Sequence, residues 1–225
     1  MSRRLAARAV CTVALALCTA VQAAPFAVQL GADRLAIDTP AGFSDSAAFG
    51  SPRLTDFAET LADASNRVLV FALSDSDMRK FSAGDQLDLR RYLLAVTARA
   101  TERERMTAAQ FATLLQEASR ATGTPPEAGT DFMKYLQGRP TGQAHLRADL
   151  RRDGQVLSIM QGTMLPSQGG WNEKRQFRVS AMTIALVGGR ALYLSAFSAY
   201  DSPADIAWLK TVSERWLEDL QRLNR

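Results

Sequence analysis

What most constrains this chain is the stretch from residue 175 to 220. Two strand-like runs, residues 176–187 and 190–200, meet at Gly188-Gly189, and a helix-like run starts at Pro203. A Gly-Gly pair suits a two-residue hairpin turn, which needs positive φ at one or both central positions. Pairing across that turn puts Met182, Ile184 and Leu186 on one face with Tyr193 and Phe197. Val179, Ala181, Ala185, Val187, Leu192 and Leu194 take the other face. Neither face is polar, so the hairpin is expected inside a sheet that is covered, at least in part, on both sides.

The run that follows carries helix signals. Ser202 suits the N-cap, Pro203 the first helical position and Asp205 the first turn. Ile206, Leu209, Val212, Trp216, Leu217 and Leu220 recur at helical spacing and make one apolar stripe. Large aromatics dominate core contacts, so Trp216, and Trp208 at the stripe's edge, are expected to pack this helix onto the sheet. A ligand-stacking role is the alternative for Trp208.

At the other end, Arg3, Arg4 and Arg8 precede an apolar run from Ala9 to Val21, and Val21-Gln22-Ala23 resembles a cleavage site. Residues 1–23 therefore read as a secretory signal peptide. The run is shorter than the roughly 20 residues a membrane span needs, so no transmembrane span is expected once it is removed. Lipidation at Cys18 is the alternative, although Leu17 stands where a lipoprotein box wants a small residue. Residues 24–225 are then expected to form a single α+β domain, periplasmic or secreted. Both cysteines, Cys11 and Cys18, lie in the signal, so this domain must stand on its core without disulfides. Three arginines and no acidic residue leave with the signal, which lowers the formal net charge from +4 to +1. Nucleic-acid binding thereby loses its electrostatic support.

Between these ends, residues 26–31 and 34–38 read as short strands about a Gly-Ala-Asp turn, and Thr39-Pro40-Ala41-Gly42-Phe43 ends the second. Ser51-Pro52 opens a helix with Leu54, Phe57, Ala58 and Leu61 on one face. Residues 67–73 read as a strand, and so do 89–99, where Tyr92, Leu94 and Val96 alternate, with a helix through Leu89, Leu93 and Val96 as the alternative. The polar segment between them holds Asp75, Asp77, Asp85 and Asp88, but Arg79 and Lys80 stand where a calcium loop needs oxygen ligands. Turns and caps are expected there. Thr107 and Gln110 make a capping box, with Met106 placed to staple against Phe111, for a helix that stops near Gly123. A short helix is expected over 131–137. Leu146, Ala148 and Leu150 alternate inward along a strand, Asp153-Gly154 turns it, and residues 156–164 return. Residues 167–173 form a glycine-bearing loop that holds Trp171.

A strand ending in Pro40-Ala41-Gly42-Phe43 just past a signal, with a hairpin and closing helix over 176–220, resembles exported α+β domains of the Mog/PsbP type. The resemblance covers the two ends of the chain after residue 23, and the segment 75–150 has no counterpart in it. It implies an α+β fold: a mainly antiparallel sheet with a C-terminal β-hairpin packed by a long terminal helix. That family carries several unrelated functions, so the resemblance transfers no site residue.

The residue inventory narrows the chemistry. His145 is the one histidine, and no cysteine follows residue 23. Zinc sites of the usual types, cysteine nucleophiles and covalently attached c-type haem are therefore excluded, and no metal or cofactor is expected. A Ser-His-Asp hydrolase would have to use His145. On a strand, Asp149 would lie roughly 13 Å away at about 3.3 Å per residue. No Gly-x-Ser-x-Gly elbow is present. His145 is instead expected with Arg147 and Asp149 on the strand's polar face. No phosphate-binding loop or dinucleotide turn occurs. Trp171, between Gly170 and Asn172, is the candidate binding residue, with tucking down onto the fold as its alternative. The reading is an exported, non-enzymatic binding or accessory domain, with no nucleic-acid partner and a candidate envelope-protein partner. The alternative is a periplasmic hydrolase whose site, such as a carboxylate pair, has no sequence motif.

Overall fold

The computed structural model describes residues 25–166 and 175–225. Its elements in chain order are β1 (Phe26–Leu30), β2 (Asp33–Ile37), β3 (Phe43–Asp45), α1 (Pro52–Leu61), β4 (Asn66–Ser74), α2 (Asp75–Ala83) and β5 (Arg91–Ala98). Then come α3 (Ala108–Ala121), α4 (Phe132–Gln137), β6 (Ala144–Arg152), β7 (Val156–Met164), β8 (Phe177–Val187), β9 (Arg190–Ala199) and α5 (Pro203–Leu223). Residues 1–23, the expected signal peptide, and Trp171, the expected binding residue, lie outside the described residues.

Seven strands form one antiparallel sheet in the order β3-β4-β5-β9-β8-β7-β6. The β8–β9 hairpin therefore sits in the interior of the sheet. Its turn closes through Val187 opposite Arg190, with Gly188 at φ 57° and Gly189 at φ 77°. Both values lie in the left-handed region that only glycine enters freely, which is why the pair can reverse the chain in two residues.

The helix α5 lays its stripe on one face of this hairpin. Leu209, Val212, Trp216, Leu217 and Leu220 share a core with Val179, Ala181, Ala185, Leu192 and Leu194. Trp208 is half-buried against the same core. The β1–β2 hairpin closes the far end of α5: the Trp216 indole N–H donates to the Asp38 carbonyl at 2.8 Å. The Asn224 amide meets both backbone groups of Ala36, at 2.7 and 2.9 Å. At the near end Ser202 is the N-cap, as expected, and Asp205 Oδ2 accepts the backbone N–H of Ser202 and of Asp201, at 3.1 and 3.0 Å.

The opposite face is covered in two separate pieces. Helices α1 and α2 pack over β4 and β5 around Phe71, Leu73 and Tyr92. Helix α3, opened by the expected Thr107/Gln110 box, packs over β6 and β7 through Phe111 and Leu115, with Met106 against the same cluster.

Two expectations are corrected. The polar segment after β4 is not a string of turns: Asp75–Ala83 is a helix. Ser74 Oγ accepts the Asp77 N–H at 3.2 Å, and Asp77, only 2% exposed, accepts the Asp88 N–H at 2.8 Å. The aspartates do cap, as the sequence suggests, but what they cap is a helix whose buried stripe is too short to register as periodic. On β6, Leu146, Ala148 and Leu150 do not share a face. Bulges fall between Leu146 and Ala148 and between Asp149 and Arg151. Each extra residue offsets the alternation, so Leu146 packs under α3 while Leu150 joins the core beneath α5.

Candidate functional site

Because α1 and α2 cover one end of the sheet and α3 the other, a strip of the face between them has no helix on it among the described residues. Register fixes its composition. Gln161, Ser180, Phe197 and Tyr92 stand abreast on β7, β8, β9 and β5. The next row is Ile159, Met182, Ser195 and Leu94, and the next Leu157, Ile184, Tyr193 and Val96. Residues two apart on a strand share a face, so all three rows point away from α5. Met182, at the centre of the sheet, is 36% exposed, whereas its neighbour Thr183, on the α5 face, is 2% exposed. Gln161, Ile184, Tyr193 and Phe197 are half-buried around it, and Ser180 and Ser195 form its floor.

At one end the strip is stiffened by aromatic contacts. The Tyr92 and Phe197 rings stack at 4.6 Å and 16°, and Phe71 meets Tyr92 edge-on at 6.1 Å. The Arg178 guanidinium lies 5.7 Å from the Tyr92 ring centroid, within cation–π range. Burial raises the Tyr92 phenol above its ordinary value, with the Arg178 charge pulling it part of the way back. Burial also raises Tyr193. Both phenols are thus protonated at neutral pH and serve as hydrogen-bonding and apolar surface, not as bases. None of the residues in the three rows is a carboxylate or a histidine.

His145 is not on an open polar face. Helix α4 packs over it: its ring lies edge-on to Tyr135 at 6.2 Å, and its Nε2 is shut off from solvent without a hydrogen-bond partner among the described residues. Arg147 follows it under α4, 5.9 Å from the Phe132 ring, with Nη1 3.6 Å from Met160 Sδ. Asp149 does stay exposed, but its carboxylate is taken by Arg152 at 2.9 Å. A His–Asp pair is therefore not assembled here. Nor does the helical cover on His145 show in the sequence, since α4 and β6 approach only through the tertiary fold. Among the described residues no group of three His, Cys, Asp or Glu side chains could hold a metal ion. Among them, too, no helix is long and apolar enough to cross a membrane.

Trp208 stands at the start of α5, with the Arg91 guanidinium 4.4 Å over its ring and Phe43 at 5.9 Å. These contacts use its indole face for packing. Comparison with protein-family models, with curated proteins and with solved structures finds no match.

Proposed function

We propose that this is an exported, non-enzymatic binding or accessory domain that holds a protein partner of the cell envelope on the strip centred on Met182. The observation that carries this reading is a half-exposed methionine in the middle of a seven-stranded sheet. Interior sheet positions are normally covered, and an exposed one among aromatic neighbours is a candidate contact surface. Met, Tyr, Phe and Arg are the residue types enriched in protein interfaces, and here they lie side by side with small hydroxyls between them. At the Arg178 end of the strip the Leu165 N–H meets the Gln176 carbonyl at 2.8 Å.

Site-specific photo-crosslinking in intact cells tests the proposal. A photoreactive residue at Met182 is expected to give a discrete adduct, and one at Lys210, exposed on α5, none. Arg178→Glu is expected to weaken the adduct, and Trp171→Ala tests the sequence-based candidate binding residue. Equal labelling at both positions, or none at Met182, would overturn the assignment.

A further inference from the structure

Helices flank the Met182 strip on both sides, and the space between them has a definite width. In the strand order β4-β5-β9-β8-β7-β6, α1 and α2 lie over β4 and β5, and α3 lies over β6 and β7. The α3 cluster reaches β8 and β9 only near their turn, at Ile184, Leu186 and Ala191. The midlines of the two covers are four strand spacings apart. At about 4.8 Å per spacing that is about 19 Å, or twice the roughly 8–10 Å at which packed helices lie. The gap therefore has room for one more helix, in contact with the covers on both sides.

Backbone chemistry selects the same occupant. β8 and β9 have a paired strand on either side, so their N–H and C=O groups are already used. The strip offers a partner only side chains, and few of them are polar: Gln161, Ser180, Ser195 and the two phenols. An extended segment lying on it would bury backbone groups that have nothing to bond, whereas a helix bonds its own. Charge distinguishes the two ends. Arg178 lies on β8 two residues before Ser180, its guanidinium 5.7 Å from the Tyr92 ring centroid. No acidic side chain pairs with it among the described residues.

We propose that the partner contacts this strip with a single amphipathic α-helix. The helix lies along β8 and β9, with its apolar stripe on Met182, Ile184 and Phe197 and a carboxylate at the Arg178 end. This rests on the reading that the strip holds a protein partner, and it names the element that partner brings. Arg178 to Ile184 is six residues of strand, about 20 Å, which about 14 residues of helix would match. The apolar residues of such a helix recur at i, i+3, i+4 and i+7. Met182 suits the centre of the contact, because an unbranched thioether adapts to the ridge laid on it.

The experiment is residue-level mapping of cross-links from three positions on β8. A photoreactive residue is placed at Arg178, Met182 or Ile184 of the full chain in intact cells, and mass spectrometry identifies the partner residue that each one captures. Arg178 and Met182 are four residues apart, about 14 Å along the strand. A helix lying alongside spans that distance in about nine residues, an extended segment in about four. Captured residues about nine apart for this pair, and about 14 apart for Arg178 and Ile184, are expected. Arg178→Glu should cut the Met182 adduct about tenfold, the scale of one charge-assisted hydrogen bond, and a lysine in place of the partner's carboxylate should restore it. Captured residues about four apart, capture without a fixed spacing, or no rescue by the charge reversal would overturn the helix. An adduct of twice the chain's mass would make the occupant a second copy, and a cross-link within one chain would make it a segment of the protein itself; either overturns the proposal. No adduct at any of the three positions removes the partner reading and this inference together, whereas an adduct with the extended spacing removes the helix alone.

Discussion

Replacing Asp205 with Asn tests how α5 is held at its first turn. The Asp205 carboxylate accepts the Arg91 guanidinium at 2.9 Å and the backbone N–H groups of Ser202 and Asp201 at 3.1 and 3.0 Å. Burial alone would raise this carboxyl. The hydrogen bond from Arg91, the Ser202 N–H, the Arg91 charge and the Ser198 hydroxyl together outweigh it, and the group titrates below its ordinary 3.8. Asn can still accept from the backbone but cannot pair with Arg91 or oppose the helix dipole. A charge-assisted hydrogen bond contributes about 1.5–3 kcal/mol and an anion in the first turn about 0.3–1 kcal/mol. The Arg91 side chain is 38% exposed, so solvent screening places the pair at the low end. The expected loss is about 2 kcal/mol at pH 7, or about 4–8 °C in Tm for a chain of this size. The pH dependence carries a sign. A carboxyl whose folded pKa is depressed contributes its stability in full above 3.8 and loses it as pH falls through the lower, folded value. The gap between wild type and Asp205→Asn, measured by urea unfolding, should therefore be constant from neutral pH down to about 5 and close below 3.8. A gap under about 0.5 kcal/mol at pH 7, the scatter of ordinary surface substitutions, would refute the reasoning. So would a gap that persists unchanged in acid.

Gly162→Ala probes the seat of α4. A Cβ there would overlap Phe132 Cε1 and lie 2.9 Å from Leu136 Cδ1, so these side chains or the helix that carries them must shift. Calorimetry should show a cost of about 1–3 kcal/mol, reduced when Phe132→Leu is added, and a neutral Gly162→Ala would mean α4 is not seated as described. Arg190, 3% exposed, gives Nε and Nη2 to Asp33 Oδ2 at 3.0 and 2.7 Å, tying the β1–β2 hairpin to the sheet. Asp33→Ala leaves that guanidinium buried without its counter-ion and should cost about 3 kcal/mol in urea unfolding. The double change Asp33→Ala/Arg190→Met should be less damaging than Asp33→Ala alone, whereas additive losses would show that the two do not act as a pair.

The parts of the fold that follow from local rules are legible in the sequence. Gly188-Gly189, the α5 stripe and the Thr107/Gln110 box each specify their element within a dozen residues, and each is found where expected. The antiparallel α+β class follows from them. What does not follow depends on where distant pieces land. The face that carries Met182, Ile184, Tyr193 and Phe197 is readable from alternation, but its exposure depends on α1, α2 and α3 stopping short of it. The two β6 bulges leave no composition signal, since neither contains glycine, and they misplace Leu150 by one face.

The edges of the sheet bear on the proposed contact surface. A partner could in principle add a strand, because an outer strand presents unpaired backbone groups. One edge here is β3, three residues long, which pairs with Ala72–Ser74 and leaves the first part of β4 without a strand on that side. The other is β6, which carries Arg147, Asp149, Arg151 and Arg152 and is bulged at two places. Short, charged and bulged strands are the devices that block strand addition. Side chains on the open strip offer a contact surface that does not depend on these edges. The same irregularity that spoils β6 as a template turns Leu150 and Arg151 together toward α5. A straightened β6 would lose both effects at once: it would expose a regular edge and turn one of Leu150 and Arg151 away from α5.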